Sequence, residues 1–598
     1  MRQTLADLRD GEAFDLVVLG AGGAGLSAAA FAGIDGARVL VIESTAFVGG
    51  TTAWSAGTTW IPLTHLASQV NADDTAEAAR TFLDAAVGDR ADPALRAAFL
   101  RHGAEAVASV ERHTHLKYRV RPFHPDYLSE LPGSTLCGRA LEPLPFDGRL
   151  LGDWLALLRP PLPEFTVLGG MAVDRDDIPH LLGWNKSAKS FAYVVRIVLR
   201  HAIDRLRHGR GTRLLMGQAL IARLLLTLRE QGASVLTDTR ATALHRDANG
   251  VSALTLEQRG TTRRVVVKGG VVLASGGFNR HAQRRAQMLP GVPDAWCVGA
   301  PGHTGGAHEL AEAVGAVYAP GALSPAYWAP ASHRRRADGS VAVFPHFVFD
   351  RAKPGTVIVN QAGRRFVNES TSYHLFGLAM QAAHRESPCI PAYLITDADG
   401  LWKYGLGQVR PHERRLQTYL ADGYLTRGAT LDELAAQLKL DAANLRQTVW
   451  AMNEYARTGV DTQFARGTTA YQRANGDATW TGPNPTLGPI ERAPFYAVKL
   501  YPGDIGAAAG FATDDHARTL DGQGRVIPGL YACGNDMQSI MGGVYPAPGI
   551  TIGPGLVFAY LAARDAVARA RQVGGKSDAS VAPNAIQPPS TASVAPVT

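Results

Sequence analysis

Three short apolar runs, each followed at once by glycines, punctuate the chain. Residues 14–19 are almost continuously apolar and lead into Gly20-Ala-Gly22-Gly-Ala-Gly25 and a stretch of small residues to Gly33. That pattern predicts a buried strand, a tight turn and a helix. Residues 37–43 supply the next strand and close a βαβ unit of about 30 residues. Ala24, Ser27 and Ala28 fall where the helix must lie close to the strand. A second run of this kind covers 270–278 and a third covers 529–535, with a helical pattern following over 555–572.

Signals of one type at both ends and in the middle predict an α/β protein. Its Rossmann-like nucleotide domain is discontinuous, built from 1–300 and 488–573. An α+β domain for substrate and catalysis is inserted at 301–487, where residues 431–456 read as two short helices. Residues 574–598 are rich in Pro, Ser and Ala and are expected to be a disordered tail. The 598 residues include 64 Gly and 35 Pro without a collagen-like repeat, which points to many tight turns and close backbone–ligand contacts.

Charge and cysteine usage narrow the function classes. The net charge of +7 is mild and spread out, which argues against a nucleic-acid partner. The one basic stretch, 196–213, sets cations among apolar residues at helical spacing. It reads as an exposed helix face, or as a loose membrane-surface contact that would suit a lipophilic substrate. The N-terminal fifteen residues have no apolar core of a secretory signal, and no run of 18 apolar residues occurs. The four cysteines are scattered, without metal or disulfide spacing. A cytoplasmic protein is expected, with contact to the inner membrane at most peripheral. The histidines, among them His113, His115, His124 and His374, lack metal-ligand spacing.

Gly20, Gly22 and Gly25 form a GxGxxG between strand and helix, and Glu43 follows 18 residues past Gly25 at the end of the next strand. In that context the first glycine permits the turn, the second admits a pyrophosphate, and the third allows close helix–strand packing. The helix N-terminus offers N–H groups and partial positive charge. Glu43 would accept from both ribose hydroxyls and repel a 2′-phosphate. These residues leave FAD or NAD as the ligand.

Downstream motifs separate the two. Glu43-x5-Gly49-Gly50-Thr51, continuing through Thr52, Ser55 and Gly57, resembles the flavoprotein superfamily of fumarate reductase subunits and 3-ketosteroid dehydrogenases. So do Ala274–Gly277, with Gly276, and Gly529–Asn535, with Gly534. The resemblance implies FAD running along these turns, with Asn535 and Ile550 also at the cofactor. No His lies in 49–57, where some relatives attach the flavin, so non-covalent FAD is expected.

The fumarate-reductase branch clamps a dicarboxylate with cations, but residues 534–555 contain no Arg, Lys or His. The same segment, Tyr545-Pro-Ala-Pro-Gly549 followed by Gly553-Pro554, resembles the 3-ketosteroid Δ1-dehydrogenase family. The resemblance implies that the Tyr545 hydroxyl and Gly549 N–H grip a ketone oxygen, as an oxyanion hole does. Residues 351–377 match the family stretch whose tyrosine is the base, which places it on Tyr373. Residues 123–133 match the stretch of the assisting tyrosine, which places it on Tyr127, with Tyr118 as a competitor. Tyr327 and Trp328 are candidates for walls around a flat apolar substrate, and 159–213 looks like an insertion at the entrance.

The reading is an FAD-dependent dehydrogenase of an apolar ring ketone, a 3-ketosteroid first, with a quinone or other external acceptor. The alternatives are a related ketone desaturase such as a 4,5-dehydrogenase, an enoate reductase drawing on Arg351 or Arg365, and a flavin-binding electron carrier.

Overall fold

The protein is described by a computed structural model covering residues 4–336 and 338–579. β1 (Glu12–Leu19) is buried throughout Leu16–Leu19 and runs into α1 (Gly23–Ile34), whose inner residues are mostly Gly, Ala and Ser. Side chains that small let the helix sink against the strand, and β2 (Val39–Ile42) then pairs parallel to β1. A long excursion follows, containing α2 (Ala188–His208) and α3 (Met216–Glu230). β3 (Ser234–Leu236) returns parallel to β2.

β4 (Arg240–Asp247), β5 (Gly250–Gln258) and β6 (Thr261–Leu273) form an antiparallel meander. β6 joins the two parts of the sheet: its first half pairs with β5, while Gly270–Leu273 lie parallel to β1.

The chain then builds a second, antiparallel sheet. Its strands are β7 (Ala326–Arg335), β8 (Val341–Pro345), β9 (Thr356–Val359), β10 (Ala392–Thr396), β11 (Leu425–Gly428) and β12 (Phe495–Ala507). The order is β8-β7-β12-β10-β9, with β11 also on β12. Alternating side chains give the sheet two cores. On one face Ile358, Leu394 and Val498 meet Phe376 and Met380 of α4 (Tyr373–Glu386). On the other, Val357, Val359 and Ile395 meet α5 (Leu431–Leu438) and α6 (Ala442–Thr458), the two short helices expected there.

β12 lies at the centre of this sheet, so the second layer continues past residue 487, where the pattern placed the return to the nucleotide domain. β12 is covered on both faces and buried almost throughout, so it carries no alternation to mark it as part of a sandwich layer. β13 (Val526–Ala532) closes the first sheet parallel to β6. α7 (Ile552–Ala579) then packs on α1 and enters the stretch expected as tail; residues 580–598 lie outside the described ones. No helix among the described residues is long and apolar enough to cross a membrane.

A buried charge cluster ties the loop before α4 to the segment after α6. Arg365 donates to Glu369 and Asp461, and Arg466 lies 3.3 Å from Glu369. Removing one partner of such a cluster leaves uncompensated buried charge. Arg365→Ala is therefore expected to cost about 3–5 kcal/mol in denaturant unfolding.

Candidate active site

The turns after β1, β2, β6 and β13 open on a cavity of about 1080 Å³. They lie at the carboxyl ends of parallel strands, where open α/β sheets bind ligands. The backbone there is packed too closely for side chains. Gly20 has φ +111, and a Cβ on it would stand 2.2 Å from the Ala274 oxygen; a Cβ on Gly25 would stand 1.9 Å from the Gly20 oxygen. Gly22 differs, because no protein atom lies within 4 Å of where its Cβ would be. It faces the cavity as the N-cap of α1 and has no side-chain cap bond. Gly23 N–H reaches the Thr52 hydroxyl (3.3 Å), the N–H groups that follow it in the first turn of α1 are left for a ligand, and a pyrophosphate fits both the space and the charge.

Glu43 lies on the wall, with one oxygen accepting from Ala21 N–H and the other from Thr45. Gly50, Thr51, Thr52, Ser55, Gly57, Gly276, Gly534 and Asn535 also line the cavity. Gly25 and Gly49 do not; they shape the turns from behind, Gly49 N–H bonding the Ala21 carbonyl. Ile550 is buried and sits off this wall, beside Ser539 and Pro554.

Two supports had only faint signals in the sequence. Asp536 follows Gly534-Asn535 directly and is wholly buried. It accepts from Ser275 N–H (2.5 Å), Gly277 N–H (2.8 Å) and His308 Nε2 (2.8 Å), which joins the turns after β6 and β13. Burial pushes its pKa up, but His308 and Ser275 bring it below the usual carboxylate range. His303 lies 3.3 Å from the Thr51 hydroxyl, and burial lowers its pKa to about 4, so it is neutral.

The cavity continues between the two layers, where tyrosines converge. The Tyr127 and Tyr373 hydroxyls are 3.3 Å apart. The Tyr545 ring stands 5.2 Å from that of Tyr373 and stacks on Tyr127 at 5.9 Å. Tyr327 meets Tyr545 edge-on at 5.0 Å, and its hydroxyl is held by Ser539. Tyr471, which no motif marked, packs 4.8 Å from Tyr127.

Separate devices position each ring. Tyr373 is the first residue of α4, and its neighbour His374 accepts from Trp328 N–H while its other nitrogen donates to the Gly543 carbonyl. Tyr127 and Leu128 N–H both donate to the Pro546 carbonyl, which ties their loop to the Tyr545 turn. Asp126 anchors that loop on Trp60, Thr135 and Arg139; burial raises its pKa to about 6 against the pull of Arg139. Gly549 has φ +90, and its carbonyl accepts from Trp60 and Gly553 N–H. Among the described residues its own N–H has no protein acceptor, and Gly549 lines the cavity.

The competing candidates are placed elsewhere. Tyr118 bonds Thr59 away from the cavity wall, and Trp328 points into the core behind Tyr327, as strand alternation requires. Arg351 spends its guanidinium on the carbonyls of His346, Phe347, Glu369 and Thr371, and Arg365 on Glu369 and Asp461. Neither guanidinium is available as a dicarboxylate clamp. Part of the 159–213 segment does reach the cavity, through Arg159, Leu162, Phe165, Arg175, Ile178 and Pro179.

The two layers and the glycine cradle define a flavoprotein oxidoreductase. A family model described as an FAD binding domain matches residues 15–552. The chain is 36% identical to a 4-oxocyclohex-2-ene-1-carboxylate 5-dehydrogenase of Sinomonas cyclohexanicum, over 96% of this chain and 98% of that one. It is 36% identical to a 3-oxosteroid 1-dehydrogenase of Mycolicibacterium smegmatis, over 94% and 98%. The crystal structure of a 3-ketosteroid delta1-dehydrogenase from Sterolibacterium denitrificans, in complex with 1,4-androstadiene-3,17-dione, superposes with a TM-score of 0.86. That pair shares 32% identity and covers 93% of this chain and all of the other. The chain belongs to the FAD-dependent 3-ketosteroid Δ1-dehydrogenase family, and FAD is its cofactor.

The cradle makes a two-sided prediction. Gly20→Ala forces a Cβ against the Ala274 backbone and should lower the thermal stability of the apoprotein as well as the flavin content. Gly22→Ala meets no protein atom, so the apoprotein should melt like wild type while FAD affinity, followed by flavin fluorescence, falls at least tenfold.

Proposed function

We propose that the protein desaturates an apolar ring ketone, introducing a C=C bond beside the carbonyl, with a 3-ketosteroid as substrate and 1,2-desaturation as the reaction. The observation that carries this reading is the convergence of Tyr127, Tyr373, Tyr545 and the unengaged Gly549 N–H on a cavity that continues into the dinucleotide cradle. The Tyr545 hydroxyl and Gly549 N–H donate to the ketone oxygen, which acidifies the adjacent C–H and stabilises the enolate that forms. Tyr373, as tyrosinate, takes the proton onto its phenol oxygen. Bound FAD supplies the two-electron acceptor that takes hydride from the next carbon. An external acceptor, a quinone in this proposal, carries the electrons away.

The base works against its surroundings. Burial raises the pKa of Tyr373 well above that of a free phenol, and the neighbouring phenols add to the rise. Its place at the N-terminus of α4 favours the anion. Burial raises Tyr127 in the same way, and in this proposal it donates to Tyr373 once that phenol has ionised.

A second reading has its own observation. Arg175 and Lys353 stand on the cavity wall at the tyrosine end, and Lys353 Nζ spends two donors on the Asn475 and Gly476 carbonyls. A cyclic ketone carrying a carboxylate would find cations there. Comparing a neutral ketone with a keto acid by kcat/KM separates the two substrates.

Anaerobic addition of 4-androstene-3,17-dione should bleach the flavin absorbance of the holoenzyme. Absence of bleaching, with flavin still reducible by dithionite, would remove the steroid reading. Tyr373→Phe should keep its FAD and lose at least about 100-fold in kcat. Because the active base is the anion and its pKa is raised, activity should climb through neutral pH and keep climbing past the ordinary phenol value of about 10. A profile flat between about pH 6 and 9, with chemistry rate-limiting, would overturn the assignment.

A further inference from the structure

A second cavity, of about 550 Å³, lies under the inward face of α2. Ile197, Arg200, His201, Asp204 and Arg205 recur on that face at helical spacing and line it. Residues 159–163 separate it from the first cavity: Arg159 and Leu162 line the first, while Pro160, Pro161 and Pro163 line the second. Its size is that of a small-molecule site, which spans about 300–1,000 Å³.

The wall combines apolar surface with cations. Leu168 and Met171 join the three prolines. Five arginines face the same space: Arg200 and Arg205 from α2, Arg210 and Arg213 from the segment after it, and Arg410 from the loop between β10 and β11. Among the described residues Asp204 is the one carboxylate on this wall, and the Thr212 N–H and hydroxyl already donate to it.

The arginines differ in how far they are paired. Arg213 forks onto both oxygens of Asp177 (3.0 and 2.9 Å), and Arg200 lies 3.4 Å from Asp147. Arg205, Arg210 and Arg410 meet neutral acceptors. Arg205 donates to the Gly169 carbonyl (2.7 Å), Arg210 to the Leu158 carbonyl (2.8 Å) and Gln218 Oε1 (3.0 Å), and Arg410 to the Thr166 carbonyl. Burial pulls Arg210 below the ordinary guanidinium value. His201 is only 7% exposed, and its Nε2 has no protein partner. Three cations without a carboxylate and an unsatisfied imidazole around one cavity call for an anion. Planar guanidinium forks match phosphate oxygens, and a phosphate ester carries more than one negative charge near neutral pH.

We infer that this cavity binds a small organic phosphate, its phosphate oxygens on Arg205, Arg210 and Arg410, with His201 as a further hydrogen-bond partner and the organic part against Pro160, Pro161 and Met171. The ligand is distinct from FAD and from the ring ketone, which belong to the first cavity, and the inference stands whichever ketone is the substrate. Gln218 links the two spaces, accepting from Arg210 and donating to the Arg159 carbonyl (2.6 Å), so the ligand sits directly behind the cofactor wall.

The test titrates the FAD-loaded protein with trinitrophenyl-ATP, a fluorescent nucleotide phosphate, and displaces it with ATP. Saturable binding that leaves the flavin in place is expected. Arg205→Ala with Arg410→Ala should weaken it at least about tenfold, because each change removes a charged donor. Both side chains are exposed and each bonds one backbone carbonyl, so melting temperature and flavin content should match wild type. Ala172→Trp fills the cavity without removing charge and should block binding as well. No saturable binding, equal binding by the double arginine variant, or release of flavin as the nucleotide binds would overturn the inference. Citrate competing as well as ATP would overturn the assignment to a phosphate.

Discussion

The structure depends on how closely backbone meets backbone at one edge of the first sheet. The Gly20 carbonyl stands where a side chain on Gly25 would be, and Ala274 stands where one on Gly20 would be. These contacts are too short for any Cβ, and they bring β1, α1 and β6 near enough for the first turn of α1 to face an open space. Asp536 performs the same service with charge, holding the turns after β6 and β13 on one carboxylate. A dinucleotide site follows, because a helix N-terminus facing glycine-lined space is what a pyrophosphate needs.

The second layer helps bring phenols to that site. Tyr373 comes from the start of α4, Tyr545 and Gly549 from the turn before α7, and Tyr127 from a loop pinned to that turn through Pro546. The tyrosine cluster offers neutral hydroxyl groups. Arg351 and Arg365 are buried and engaged in holding backbone and carboxylates, so neither guanidinium is free to meet a substrate carboxylate. Neutral donors suit a ketone, whose oxygen carries charge only as the proton leaves. In the proposed mechanism the cost falls on Tyr373, which must ionise while buried among other phenols.

Motifs that encode a backbone requirement were legible in the chain. Gly20, Gly22 and Gly25 read in sequence as three different roles, and the three positions differ in the space around them in the same way. The tyrosine motifs were legible only through resemblance, since nothing in the spacing of Tyr127, Tyr373 and Tyr545 brings them together. Tyr471 carried no signal, because a tyrosine on a short helix reads as any half-buried aromatic. β12 was misplaced for a related reason: a strand buried on both faces shows an apolar run and not its neighbours.

Sequence alone determined the class of cofactor and the existence of two layers, because glycine turns, strand periodicity and the acid after the second strand are local and each follows from a few adjacent residues. It also marked the basic stretch 196–213 at helical spacing, of which residues up to His208 belong to α2. Tertiary structure decided which face of that helix the protein covers, which tyrosines share a wall, and which arginines are already spent. Those are questions of partners hundreds of residues apart, and neither a helical repeat of apolar positions nor a motif says what stands opposite. Only the packing of the two layers turns Phe191, Leu199 and Leu206 outward while turning Tyr373 and Tyr545 in toward the same cavity.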